Sequence, residues 1–228
     1  MKNKLLIILL LFICMFSLTS CKKSDAIIFK NDYESLNGTT NSNGKEHRTV
    51  SIPKNNPFVI SSAQEIVEKI ENKDSFYVYF GSKLCPWCRS AIEKAIEVAN
   101  DNGVDKIYYV DIWNDAGEEI LRDKYTLDDK GTPVKSIEGT DEYYKLLKYL
   151  DNVLEDYTYT SEGQELSYGE KRIYAPNFIY IAKGTPIRMT TGNSPKQTDS
   201  REELTEEILK DEEKMFNDFF INVCDESC

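Results

Sequence analysis

Ser75-Phe76-Tyr77-Val78-Tyr79-Phe80-Gly81-Ser82-Lys83-Leu84-Cys85-Pro86-Trp87-Cys88 is the stretch on which the fold turns. Ser75 to Phe80 is aromatic and β-rich, is bounded by Lys73-Asp74 and Gly81, and reads as a buried strand. Gly81 to Leu84 makes a short loop into Cys85. Pro86 then falls in the first turn of a helix, where its missing N–H costs nothing. Ala91, Ile92, Ala95, Ile96 and Ala99 recur at helical spacing, and Asn102-Gly103 stops the run. Lys106 to Ile112 is a second strand. Strand, helix and strand over about forty residues make a βαβ unit, so the two strands are expected to run parallel.

Outward from this unit, Ser62-Ala63-Gln64-Glu65 is a capping-box pattern, and Ala63, Ile66, Val67 and Ile70 continue it as a helix over 62–72. Downstream, Arg172 to Ala182 holds a strand interrupted by Ala175-Pro176, Lys183-Gly184 is a turn, and Pro186 to Thr190 returns as a hairpin partner. Ser200-Arg201-Glu202-Glu203 reads as a second capping box, followed by a helical face of Leu204, Ile208, Met215, Phe216 and Phe219 to about residue 222. Thr140-Asp141-Glu142 caps a helix with Leu147, Leu150 and Leu154 on one side. The segment of about 113–171 therefore reads as a helical insertion, with loops at 128–133 and 161–164.

The N-terminus has a different texture. Lys2 and Lys4 precede an unbroken apolar run of twelve residues, Leu5 to Phe16, which has signal-peptide length and is too short to span a bilayer. Leu18-Thr19-Ser20-Cys21 follows. Residues 21–57 read as a tether and N-terminal extension. The turn-rich run Asn37 to Gly44 is a loop, Val50-Ser51-Ile52 is a short strand candidate, and the sole histidine, His47, is expected to be exposed. Residues 58–228 are the folded domain.

The chain has 228 residues, with 40% hydrophobic and 29% charged, and fourteen tyrosines and ten phenylalanines to fill a core. Its formal net charge is −11, and residues 1–20 contribute two lysines and no acid, so the remainder is more acidic still. Such a surface repels phosphate backbones and excludes nucleic acid as a partner. With one histidine, a His-based hydrolytic site is not expected.

Of six cysteines, Cys14 falls in the signal segment and Cys21 at its end. Cys85 with Cys88, and Cys224 with Cys228, remain as two close, disulfide-capable pairs. A zinc site using all four is the rival. It is disfavoured because the first pair opens an apolar-periodic helix and the second lies at the extreme terminus. No metal or cofactor is expected.

Leu18-Thr19-Ser20-Cys21 resembles the lipobox of bacterial lipoproteins. The resemblance implies cleavage after residue 20 and a diacylglyceryl group on the Cys21 sulfur, which with a second acyl chain anchors a protein stably. It also implies an address on the extracytoplasmic face of the cell membrane. The order strand, C-x-x-C at a helix start, strand, helical segment, Pro-containing hairpin, helix resembles the thioredoxin superfamily over roughly residues 58–222. Phe76 to Gly81 is similar to the family's strand before its active site, and Tyr174-Ala175-Pro176-Asn177 followed by Lys183-Gly184 is similar to its cis-proline strand and turn. Gly192 stands where such proteins place a glycine after the last strand. Thioredoxin-like lipoproteins and bacteriocin-transport accessory proteins are the membrane-attached members. The implied fold is α/β, with a central mixed sheet flanked by helices and a helical insertion before the cis-Pro strand. The sequence departs from thioredoxin in three places. Tyr79 replaces the usual buried acid, Pro-Trp replaces Gly-Pro between the cysteines, and Ala175 replaces a β-branched residue.

The chemistry follows from position. A helix N-terminus stabilises a thiolate through free N–H groups and its dipole, so Cys85 is expected to attack a disulfide and Cys88, one turn deeper, to resolve the mixed disulfide. Trp87 is expected to be exposed as an apolar contact, and Ala175 and Pro176 to face the dithiol as substrate contacts. Lys83 and Arg89 read as solvated cations near the site, and Asp111 as a polar strand end. Cys224 and Cys228 read as a clamp on the last helix or as a second redox pair that relays electrons. The expected activity is thiol–disulfide exchange on exported client proteins, recharged by a membrane redox partner. The alternative is a binding lipoprotein that uses the fold as a scaffold and holds Cys85–Cys88 as a permanent bridge.

Overall fold

The computed structural model describes residues 24–161 and 163–220. In chain order these form α1 (Asp25–Glu34), β1 (Phe58–Ile60), α2 (Ala63–Glu71), β2 (Phe76–Gly81), α3 (Pro86–Asp101) and β3 (Ile107–Asp111). Then come β4 (Lys124–Leu127), β5 (Pro133–Ile137), α4 (Asp141–Leu150), β6 (Glu155–Ser161), β7 (Gln164–Arg172), β8 (Asn177–Ala182), β9 (Thr185–Thr190) and α5 (Glu206–Phe220).

Five strands make one sheet in the order β1-β3-β2-β8-β9. β1 and β2 both pair with β3 in parallel, as a βαβ connection requires, whereas β8 runs antiparallel to β2 and to β9. β2 is buried along its whole length. Its alternation sends Tyr77 and Tyr79 into one core with Phe29, Ile92, Ile96 and Phe216, and Phe76, Val78 and Phe80 into a second with Ile66, Ile70, Leu146 and Leu150. Helices α1, α3 and α5 thus cover one face, and α2 and α4 the other. The architecture is mixed α/β, a central mixed sheet flanked by helices.

Ser62 caps α2 with a complete capping box, its hydroxyl accepting from the Glu65 N–H and the Glu65 carboxylate accepting from the Ser62 N–H. Thr140 caps α4 through the Tyr143 N–H. The last helix starts later than its sequence pattern suggests. Thr205, and not Ser200, supplies the capping oxygen to the Ile208 N–H at 3.3 Å, while Ser200 is buried and its carbonyl receives Arg48.

Three expectations are corrected. The insertion before β8 is not purely helical. It carries two antiparallel hairpins, β4-β5 and β6-β7, around the single helix α4. Its strands bury little, and Tyr125, Tyr157 and Tyr159, each with its ring against that of Tyr168, tie them together. Val50-Ser51-Ile52 forms no strand. Val50 and Ile52 are buried, and Asn37 binds both the N–H and the carbonyl of Val50. His47 is buried rather than exposed. The reason is α1, which places Phe29 and Tyr33 in the core, Phe29 stacking on Phe58 at 4.1 Å, so the chain through residue 57 packs on the sheet. Among the described residues no helix is long and apolar enough to cross a membrane.

Candidate active site

Cys85 is the N-cap of α3, with extended backbone (φ −77°, ψ 118°), and Pro86 occupies the first turn. An N-cap side chain normally accepts from the amides of the first turn. Here the acceptor is sulfur, and Cys85 Sγ receives the Cys88 N–H at 3.4 Å. The loop behind it is held by the Cys85 N–H to the Ser82 carbonyl at 3.1 Å. Across the site, the Ala175–Pro176 peptide is cis, and the Ala175 carbonyl accepts the Cys85 thiol at 3.3 Å. The predicted site residues Cys85, Cys88, Pro86, Trp87, Ala175 and Pro176 are thereby brought to one place, the C-terminal end of β2.

The two sulfurs differ in environment. Cys88 is wholly buried, and Cys85 is 4% exposed. The Cys85 thiol is pushed below its ordinary value, first by its hydrogen bond with Cys88, then by the N–H groups of Cys88 and Trp87 and the charge of Arg122, against the cost of burial. The Cys88 thiol is pushed well above it, first by burial and then by Cys85. Of the two, Cys85 is therefore the sulfur that ionises more readily.

Several side chains behave differently from their sequence reading. Trp87 is half-buried, its carbonyl held by Asn193 Nδ2 at 3.1 Å. Arg89 is not a solvated cation. It is fully buried and donates to the carbonyls of Arg48 and Tyr33, each at 2.8 Å, and to Asn37 Oδ1 at 2.8 Å. Lys83 is engaged by Asp32 and Asp115. Asp111 is partly buried, accepting from the Tyr109 hydroxyl at 2.8 Å and the Trp113 N–H at 3.0 Å, and burial raises its carboxyl above the ordinary range. Tyr79 is wholly buried in the same core as both cysteines, its hydroxyl 2.9 Å from that of Tyr33.

Sequence reading missed Arg122, Asn193 and Tyr33. Arg122 is buried, binds Glu119 and the Ile173 carbonyl, and reaches the site from the insertion, with no periodic pattern to mark it. Arg89 did carry a signal. It lies three and seven residues before Ile92 and Ile96, on the apolar stripe of α3.

Beside the dithiol runs a groove of ≈ 740 Å³ lined by Trp87, Tyr174, Ala175 and Pro176 on one side and by Glu155 and Glu165 of the β6-β7 hairpin on the other. A second cavity of ≈ 670 Å³ lies at the opposite end of β2, against Asp74, Asn102 and Tyr180. Among the described residues, the groove and not this second cavity is lined by Trp87, between the two cysteines, and by Ala175 and Pro176 opposite them. Among the described residues no cluster of three or more His, Cys, Asp or Glu could hold a metal ion. Cys21, Cys224 and Cys228, with Cys14, lie outside the described residues. No protein-family model matches this chain, and no curated protein is similar to it at a significant level.

Proposed function

We propose that this chain is a thioredoxin-like thiol–disulfide oxidoreductase, held on the extracytoplasmic face of the cell membrane by lipid on Cys21. The strand order β1-β3-β2-β8-β9, with three parallel strands and an antiparallel hairpin, supports the thioredoxin-like reading. The membrane address rests on the apolar run from Leu5 and on Leu18-Thr19-Ser20-Cys21. One observation carries the activity: Cys85 caps α3 with its sulfur toward first-turn amides and opposite the Ala175 carbonyl, while Cys88 lies buried one turn in. That asymmetry suits an attacking thiolate and a shielded resolving thiol. The groove along Trp87 and Pro176 would receive the client polypeptide, an exported protein with thiols or disulfides, and a membrane redox partner would restore the dithiol.

The rival reading, a binding lipoprotein with Cys85–Cys88 as a permanent bridge, draws on the low exposure of Cys85, 4%. One experiment separates the two. Cys88→Ser leaves attack possible and resolution impossible, so mixed disulfides with client proteins should accumulate on non-reducing electrophoresis and vanish with dithiothreitol. Cys85→Ser should give none. Absence of adducts from Cys88→Ser would overturn the enzyme reading in favour of the scaffold.

A further inference from the structure

We propose that the β6-β7 hairpin is the specificity wall of the groove beside the dithiol, and that Glu155 and Glu165 select client segments with lysine or arginine near the reacting cysteine. This rests on the dithiol reading above and names the class of client that the same site would take.

The charge of this wall is one-sided. Glu155, Asp156 and Glu165 line the groove with a single cation, Lys171, and Lys171 is engaged by Asp156 at 2.9 Å. Glu155 and Glu165 are exposed, and neither side chain has an ion-pair or hydrogen-bond partner among the described residues. In register, Glu155 faces Arg172 at the open end of the hairpin and Glu165 faces Thr160 beside its turn, so free carboxylates stand at both ends of the wall. The facing wall of Trp87, Tyr174, Ala175 and Pro176 carries no charge to answer them. The hairpin is also hung on the turn that meets the dithiol. Between the pairs Asp156–Lys171 and Thr158–Ser167 its ladder shifts register. The Tyr174 hydroxyl fills that break, accepting the Thr158 N–H and donating to the Asp156 carbonyl, each at 3.1 Å. Tyr174 directly precedes Ala175-Pro176, and its own N–H donates to buried Asn177 at 2.6 Å. The wall therefore keeps a fixed place relative to the Ala175 carbonyl that meets the Cys85 thiol.

A client must bring its sulfur to Cys85 while the chain on either side of that sulfur lies along the groove. Carboxylates without partners on one wall attract a cationic segment and repel an acidic one, which acts on the rate of productive encounter. Each exposed pair contributes little, so the selection is a matter of several-fold and is screened by salt. The exchange itself is the same for every client. The Cys85 thiolate forms a bond to the client sulfur and the client disulfide breaks. Its other sulfur leaves with the electron pair, and the proton of Cys85 passes to solvent. The hairpin touches none of these bonds and decides only which chain presents them.

The test uses the reduced full-length protein and short peptides with a central cysteine held as its mixed disulfide with thionitrobenzoate, flanked either by lysines or by glutamines. Attack by Cys85 on the peptide sulfur releases the chromophore, and Cys85→Ser supplies the background from other thiols. Each lysine-to-glutamine rate ratio is divided by that for 2-mercaptoethanol, which removes the peptides' own difference in reactivity. The wild-type ratio should be about fivefold at about 0.01 M salt and approach one at about 1 M. Glu155→Gln with Glu165→Gln should bring it within about twofold of one at low salt, and Glu155→Lys with Glu165→Lys should invert it. Both carboxylates are exposed, and the ratio is taken within each protein, so a small change in stability does not enter it. Asp101→Asn with Asp105→Asn makes the same change in net charge at the far end of α3 from Cys85, and should keep the wild-type ratio. A preference that survives loss of the two glutamates, or that the aspartate control loses equally, overturns the proposal. Equal rates for both peptides on the wild-type protein overturn it while leaving the dithiol reading intact. No chromophore from either peptide defeats the dithiol reading, and this inference with it.

Discussion

At the scale of single residues, the candidate site depends on a division between two sulfurs 3 positions apart in the chain. Cys85 shares the first-turn amides of α3, and Cys88 is enclosed by the core. Burial opposes ionisation of both, but only Cys85 has donors enough to offset it. Iodoacetamide at about pH 6 should therefore modify reduced Cys85 at least about tenfold faster than Cys88, as peptide mapping would read. Faster labelling of Cys88 would reverse the assigned roles. The pair and its order are readable from Cys85-Pro86-Trp87-Cys88, because a proline after the first cysteine fixes where the helix begins. Tyr79 is readable as a strand residue, but the pairing of its hydroxyl with that of Tyr33 is not, since it depends on how α1 packs on β2.

At the scale of elements, the site is an agreement between the start of α3, the turn before β8 and the turn after β9. Gly192 shows how tight that agreement is. Its φ is +72°, and a Cβ there would stand 2.0 Å from Phe216 Cζ, on the helix that closes the sheet. Phe216 is fully buried and meets Phe178 edge-on at 5.1 Å, so the ring has little room to yield. Gly192→Ala should cost about 2–4 kcal/mol, combining the left-handed backbone with overpacking, as measured by urea unfolding. Because Asn193 binds the Trp87 carbonyl, the same change should also loosen the Cys-Pro-Trp-Cys turn. A loss below about 0.5 kcal/mol would mean that α5 shifts freely, contrary to this packing.

At the scale of the whole molecule, three segments distant in sequence meet at Glu212. It lies on α5 without exposed surface, faces the charges of Lys94 on α3 and Arg48 before β1, and neither carboxylate oxygen has a hydrogen-bond partner among the described residues. Burial is the main cause that raises its carboxyl to about 7 from an ordinary 4.5. An acid raised on folding favours the folded state when protonated. Its contribution is therefore full below about pH 4.5 and is lost as pH rises through about 7. Glu212→Gln should flatten the pH dependence of the melting temperature between those limits. At pH 8 it should be more stable than wild type by on the order of 2–3 kcal/mol. An equal slope in both proteins would show that another group sets it.

Sequence alone was enough for the local events. The strand Phe76–Gly81, the capped helix from Ser62, the helix opened by Pro86 and the turn at Lys183-Gly184 each follow from neighbours within a few residues, where propensity and capping act. What failed were judgements about burial of polar residues and about weakly patterned chain. Arg89, His47 and the Phe29 and Tyr33 side chains of α1 lie inside because α1 packs on one face of the sheet and the chain from it to β1 brings Tyr33, Asn37 and Arg48 onto α3. A buried guanidinium satisfied by backbone carbonyls from 41 and 56 residues away has no local signature, since its partners are chosen only when the chain closes. The paired hydroxyls of Tyr33 and Tyr79, 46 residues apart, are of the same kind. Short-range chemistry determined where Cys85 and Cys88 stand, and long-range packing decided what surrounds them.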